Sequence, residues 1–291
     1  MISLRDISGL WRRTLLAWPD GRTDTETAVF WLQGPRRYAD LRVPAGRPTG
    51  SGVTCLRDLD WTMLRAMARQ ECFFGHLDIA DSVACWHRAF DFQPATGRAD
   101  RGTLAFEGGI LVERGIEFPY IEHWVREAGR DEAMALSLTT EAGVPGCLIV
   151  AGDAFIYGRG RATPLPAGAT LTELIDGAAS LKAAQDLFDC EISFGRRRTG
   201  DKAGDWRIEC SSHGFREGAA LSPTLDSVNG LLCINDVTPD GARFERVWRI
   251  TEQESTADDA LMPCFDLEAV RGAMPDATPE THRAERLGAW P

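Results

Sequence analysis

Thr27-Ala28-Val29-Phe30-Trp31-Leu32 and Tyr38-Ala39-Asp40-Leu41-Arg42-Val43, joined across Gly34-Pro35, decide the fold. The first run is rich in β-forming residues and the second alternates with period two, so the pair reads as a hairpin. Working outward, Gly9 to Leu16 is a first strand, closed by the turn Pro19-Asp20-Gly21. Strands follow at Phe73 to Ile79, Val83 to Phe92, Thr103 to Phe106, Ile110 to Arg114 and Tyr120 to Arg126. Their spacing of roughly ten residues, with Gly, Pro and Asp between them, is that of an antiparallel barrel or sandwich. A second series begins after Gly129-Arg130-Asp131. It runs through Ala133 to Thr140, Cys147 to Tyr157, Cys190 to Phe194, Trp206 to Cys210, Leu231 to Asn235 and Phe244 to Thr251. About fourteen strands overfill one small barrel, whose interior eight already fill.

Two helical stripes interrupt the strands. Leu56, Leu59, Met63, Leu64 and Met67 share one face over Leu56 to Arg69, and Thr170-Leu171-Thr172-Glu173 has the form of a capping box opening a second helix. Both are expected to pack on the core, the first across a barrel end. The segment from Glu254 onward is rich in Asp, Ala, Pro and Thr and reads as an extension with one short helix, Leu267 to Gly272.

The chain has 291 residues, enough for two domains with sizeable cores. Its net charge of −11 disfavours nucleic acid and anionic membranes as partners. The basic residues are nearly all arginine, Lys182 and Lys202 being the only lysines, which reflects coding style rather than function. No signal peptide and no membrane-length apolar run is visible, and eight scattered cysteines suit reduced, buried side chains. A soluble cytoplasmic protein is the expectation.

Gly9-Leu10-Trp11 on the first strand resembles the G-x-W signature of lipocalins and related calycins. That resemblance implies a barrel whose tryptophan closes the bottom beneath an arginine. Tyr38-x-x-Leu41-Arg42, Glu107 to Gly115, Tyr120-x-Glu122-x-Trp124, Gly146 to Val150, Ile192-Ser193-Phe194-Gly195 and Trp248-Arg249-Ile250 are similar, in that order, to a fungal family. Its members are small casein-kinase-interacting proteins with two lipocalin-like barrels and no established biochemical activity. The likeness spans most of residues 9–252 and carries no catalytic motif, so it implies a fold and not a function. The chain departs from that pattern around Leu56 to Arg69 and at its C-terminus. The expected fold is therefore all-β: two lipocalin-like antiparallel β-barrels, residues 1–129 and 130–253, with two long covering helices and a C-terminal extension, 254–291.

Catalytic signatures are missing. Ser211-Ser212-His213-Gly214 is no nucleophile elbow, Gly158-Arg159-Gly160-Arg161 no phosphate loop, and no G-x-G-x-x-G follows a strand. Cys72, His76, Cys85 and His87 fall within sixteen residues, but without the usual zinc knuckles they read as ordinary side chains. Haem would need one of His87, His123 or His213 facing an apolar cavity. No metal and no cofactor is expected.

What is left is polar residues at inward phases of apolar strands. Trp86, Arg88, Phe90 and Phe92 share one face; Tyr120, Glu122 and Trp124 form another, and Tyr38, Asp40 and Arg42 a third. The expected function is binding of a small, partly apolar molecule, with Trp86, Phe90 and Trp124 as walls and Tyr38, Arg42, Arg88 and Glu122 supplying polar anchors. One alternative is a cofactor-free isomerase, cyclase or lyase using Glu122 or His87 as acid/base. The other is a scaffold with filled barrels that holds a protein partner.

Overall fold

The computed structural model describes residues 2–47, 52–128, 133–198 and 205–256. The short helix expected at Leu267 to Gly272, Cys264 and most of the extension lie outside these. Among the described residues no helix is long and apolar enough to cross a membrane.

The first sheet runs from β1 (Gly9–Ala17) through the short β2 (Thr23–Asp24) to β3 (Ala28–Gln33) and β4 (Arg37–Val43). It continues with β5 (Glu71–Ala80), β6 (Val83–Asp91), β7 (Asp100–Glu107), β8 (Ile110–Gly115) and β9 (Ile121–Ala128). Each strand pairs antiparallel with its neighbour and β9 returns to β1, so eight strands close a barrel with β2 as a side strand. At one end the helix α1 (Leu4–Ile7) plugs it. Trp11 is buried there, its indole donating to the Ile7 carbonyl at 2.6 Å, and the Arg126 guanidinium lies 4.3 Å above its ring.

The second sheet comprises β10 (Ala133–Thr139), β11 (Pro145–Ala151), β12 (Ala154–Arg159), β13 (Glu191–Arg198), β14 (Asp205–Ser211), β15 (Thr224–Asp226), β16 (Leu231–Val237) and β17 (Arg243–Ser255). Its order is β14-β13-β12-β11-β10-β17-β16-β15, and its edges do not pair directly. The strap before β15 bridges them instead. Leu221 donates to the Trp206 carbonyl of β14 and accepts from the Asn235 amide of β16. Cys147 to Tyr157, expected as one strand, is a hairpin that turns at Gly152-Asp153.

Why β3, β11 and β12 are apolar on both faces becomes clear from the packing. Val29 and Trp31 point into the first barrel, whereas Phe30 and Leu32 point out against Ile149, Ile156 and Phe194 of the second sheet. Phe30 and Phe194 stack with ring centroids 4.1 Å apart. The barrels thus share a third core along a seam, separate from their two interiors. A continuous apolar run is the pattern of a strand buried on both sides.

Helices seal this seam rather than a barrel end, and they are short. Leu64 and Met67 of α2 (Trp61–Met67) join the seam core, as do Leu171 and Ile175 of α3 (Leu171–Asp176) and Ala184 of α4 (Leu181–Asp186). The second long helix expected after Thr170 is broken: Gly177 ends α3 and the Ser180 hydroxyl caps α4 by accepting from the Ala183 amide. The Thr170–Glu173 capping box is formed.

Candidate functional site

Period-two alternation carries Trp11 and Arg13 of β1, Tyr38, Asp40 and Arg42 of β4, and Glu122 and Trp124 of β9 into the first barrel. On β6 the alternation breaks. Gly75 faces Arg88 and Phe74 faces Phe90, which leaves Ala89 as the extra residue of a bulge. Only glycine fits opposite that kink, because a Cβ on Gly75 would sit 1.8 Å from the His87 carbonyl oxygen. Trp86 and Arg88 therefore face the barrel, while Phe90 and Phe92 turn into the seam. Phe90 is not a wall of this interior. The expected row of four was split by a residue that periodicity counts but the ladder does not.

The interior has two halves. Towards α1 it is filled: Trp31 packs on Trp11, Trp86 and Trp124 with centroids 5.3–6.2 Å apart. Towards the other end it is charged. Arg13 donates to Glu122 and to Asp24, both at 2.7 Å, and Arg42 donates to Asp40 at 2.9 Å and lies 3.5 Å from Glu122. Arg88 donates to Asp91 at 2.5 Å and to Asp100 at 2.6 Å, its guanidinium 3.6 Å over the Phe73 ring. Arg88 and Glu122, which strand phase alone placed in one interior, do share it but do not pair. Each has nearer partners.

Glu113 is the odd member. It lies directly across from Glu122 on the β8–β9 pair and is 4% exposed. Its carboxylate accepts from the Tyr120 hydroxyl at 2.6 Å and the Trp124 indole at 3.2 Å, but among the described residues it has no cationic partner. Burial and the facing Glu122 push its pKa up to about 8, so the carboxyl keeps its proton at neutral pH. Glu122 is also raised by burial, though Arg42 and Arg13 oppose this. Nearby, the buried Tyr38 hydroxyl has no hydrogen-bond partner among the described residues, and burial raises its pKa well above the phenol value.

Of the residues expected to form a site, Tyr38, Arg42, Trp86, Arg88, Glu122 and Trp124 come together here. Arg13, Asp24, Asp91, Asp100 and Glu113 were missed. Arg13 shares the phase of Trp11, and Glu113 that of the buried Leu111, so both signals were available once the inward face was known. His87 projects from the outer wall and is half exposed, which removes it as an acid/base inside the barrel. His123 falls between Glu122 and Trp124 on β9 and so points to the opposite face.

The second barrel has its own polar end. Glu191 accepts from Arg216 at 3.0 Å and from the Ser193 hydroxyl at 2.6 Å, and Asp236 pairs with Arg246 at 2.5 Å and Arg159 at 3.7 Å. The two arginines outweigh burial and hold Asp236 below the usual carboxylate range. A cleft beside it is lined by Leu56, Arg159, Asp189, Glu191, His213 and Phe215, among others. His213 is buried with Nε2 3.0 Å from the Phe188 carbonyl, and burial lowers its pKa to about 4.

A closed eight-stranded barrel packed against a second, incompletely closed sheet defines this class of β protein. No family model matches the sequence, and no curated protein matches it. The chain is similar to the solved structure of the uncharacterized protein YLR301w from Saccharomyces cerevisiae, with 13% identity and a TM-score of 0.47, over 84% of this chain and 98% of that one.

Proposed function

We propose that the first barrel binds a small, partly apolar molecule carrying a positive charge, such as an arylalkyl amine, at its charged end. The observation that carries this reading is the uncompensated Glu113. Asp24, Asp40, Asp91, Asp100, Glu113 and Glu122 face Arg13, Arg42 and Arg88, and every arginine is already engaged by another acid. An ammonium group delivered beside Glu113 would let that carboxyl ionise. Trp86 and Trp124 would meet the apolar part. The lipocalin-like reading is supported by Trp11 at the plugged end beneath Arg126. The seven described cysteines are free, which supports a reducing compartment, the cytoplasm.

Benzylamine and phenethylamine, tested by thermal shift at pH 6 and pH 8.5, probe this directly. Stabilisation of the native protein is expected, absent with benzyl alcohol and lost in Glu113→Gln. No shift at millimolar amine, or an equal shift in the variant, would remove the reading. A second reading, a protein-interaction scaffold, is favoured by the filled halves of both interiors, where four tryptophans pack in the first barrel and Phe155, Tyr157, Trp206 and Trp248 in the second. Native mass spectrometry of freshly purified protein separates the two: a retained small molecule supports the first.

A further inference from the structure

We propose that His76, Asp78 and His87 form an open binding site for a divalent ion of the zinc type on the outer wall of the first barrel. The cysteines that made this segment look zinc-like are not the ligands. Cys72 turns into the seam core, and Cys85, although it is the register partner of Asp78, is not part of the cluster of donor atoms. The fold supplies Asp78 instead.

His76 and His87 are direct register partners across β5 and β6, and their rings stack with centroids 4.5 Å apart at 11°. Asp78 follows His76 by two residues and so shares its face. Its Oδ2 lies 3.3 Å from His87 Nε2 and 3.9 Å from His76 Nε2, and one donor atom from each residue falls within 4.8 Å of the others. Tetrahedral zinc with bonds of about 2.0–2.1 Å sets its ligands about 3.3 Å apart. Small rotations of side chains that are one-third to one-half exposed therefore complete the shell.

The surroundings favour a ligand trio over a chance surface contact. Arg36 Nη2 holds the other carboxylate oxygen of Asp78 at 2.9 Å, which aims Oδ2 at the imidazoles as an outer-shell partner does. The Arg36 carbonyl is itself fixed by the Leu77 amide at 3.0 Å. Two imidazoles and one carboxylate are an intermediate-hardness set suited to zinc rather than calcium or magnesium. Three protein ligands leave a position for water or a ligand atom, as closed structural sites do not. This wall is the opposite face from the barrel interior, so the site stands independently of the proposed amine pocket.

The test is titration of the full chain, stripped with a chelator, with zinc by calorimetry and with cobalt by visible spectroscopy. A single saturable equivalent of zinc is expected, weakened at least about tenfold by His87→Gln and by Asp78→Asn. Cobalt should give d–d bands of a nitrogen and oxygen shell without a thiolate charge-transfer band. Because these side chains are on the surface, far-UV circular dichroism should be unchanged in each variant. Absence of saturable zinc binding overturns the proposal. So does equal binding by the His76→Gln/His87→Gln double variant, which would put the ion elsewhere on the chain. A thiolate band would place a cysteine in the shell and exclude this trio.

Discussion

At its polar end the first barrel sets Asp24, Asp40, Asp91, Asp100, Glu113 and Glu122 against Arg13, Arg42 and Arg88; the second sets Asp189, Glu191 and Asp236 against Arg159, Arg216 and Arg246. Both barrels alternate apolar and polar rows, both bulge opposite a glycine, and both fill their other half with aromatic rings. They differ in charge balance. Burial pushes both carboxyls up; where arginines suffice to outweigh it, as at Asp236, the pKa falls, and where they run out, as at Glu113, it rises. The contrast separates a network whose carboxylates are matched by arginines from one that holds a buried carboxyl protonated for want of a cation.

The largest expected effect follows from protonation. Glu113 binds its proton up to about pH 8 when folded and to 4.5 ordinarily, so its contribution is complete below 4.5 and is lost as pH rises towards 8. His213 runs the other way. Its pKa falls from 6.5 to about 4, so its contribution is complete above 6.5 and is lost as pH falls towards 4. Each slope is about 1.4 kcal/mol per pH unit, and the two oppose between pH 4.5 and 6.5. Urea unfolding should show a plateau there, with stability declining on the alkaline side. Glu113→Gln should remove the alkaline decline by a few kcal/mol at pH 8.5, and His213→Gln the acid one. An alkaline slope that survives in Glu113→Gln would break the comparison.

The seam should cost almost as much to disturb. Phe30→Ala deletes a ring shared by both barrels and should destabilise by about 3–5 kcal/mol. Because the seam core belongs to both sheets, tryptophan fluorescence and far-UV circular dichroism should report one coincident transition before and after the change. Two separated transitions would show that the barrels fold independently.

How much of this could be read from the chain depends on which faces were buried. The strand positions followed from alternation and turns, because each strand's inward row repeats every second residue. Tyr38, Arg42 and Glu122 were legible for the same reason. The seam was not, although Ala28 to Leu32 and Cys147 to Ala151 carried its signal as apolar residues on both faces. A run of that kind says that something covers the outer face but does not name the cover. Phe90 was misplaced because a bulge adds one residue to β6 without any change in composition, and Gly75, which permits it, sits on the neighbouring strand. The partner of Glu113 is likewise set by register, which a single strand cannot reveal.

The bulges permit a matched pair of tests. A Cβ on Gly75 would meet the His87 carbonyl oxygen at 1.8 Å, and one on Gly195 the Arg207 carbonyl oxygen at 2.0 Å. Gly75→Ala and Gly195→Ala should each destabilise by about 1–3 kcal/mol. Only Gly75→Ala should also disturb the orientation of Arg88, and hence any amine binding at the first barrel. Equal loss of binding in Gly195→Ala would mean that the effect travels through general stability rather than through the bulge.

The smallest effect concerns Arg88 itself. Its guanidinium is about one-third exposed and spans Asp91 and Asp100, which are also partly open to solvent. Arg88→Met should therefore cost only about 1 kcal/mol in the unliganded protein, the range of a screened pair, since its loss leaves acids that water still reaches. A double-mutant cycle sharpens this. Coupling with Asp100→Asn should be measurable, because the two side chains meet at 2.6 Å. Coupling with Glu122→Gln should stay within about 0.5 kcal/mol, because Glu122 is held by Arg13 and Arg42 and shares no partner with Arg88. Strong coupling to Glu122 would mean that the two halves of the charged end form one network. The excess of acid would then be spread over the whole mouth instead of being concentrated at Glu113, and the contrast between the barrels would be one of degree.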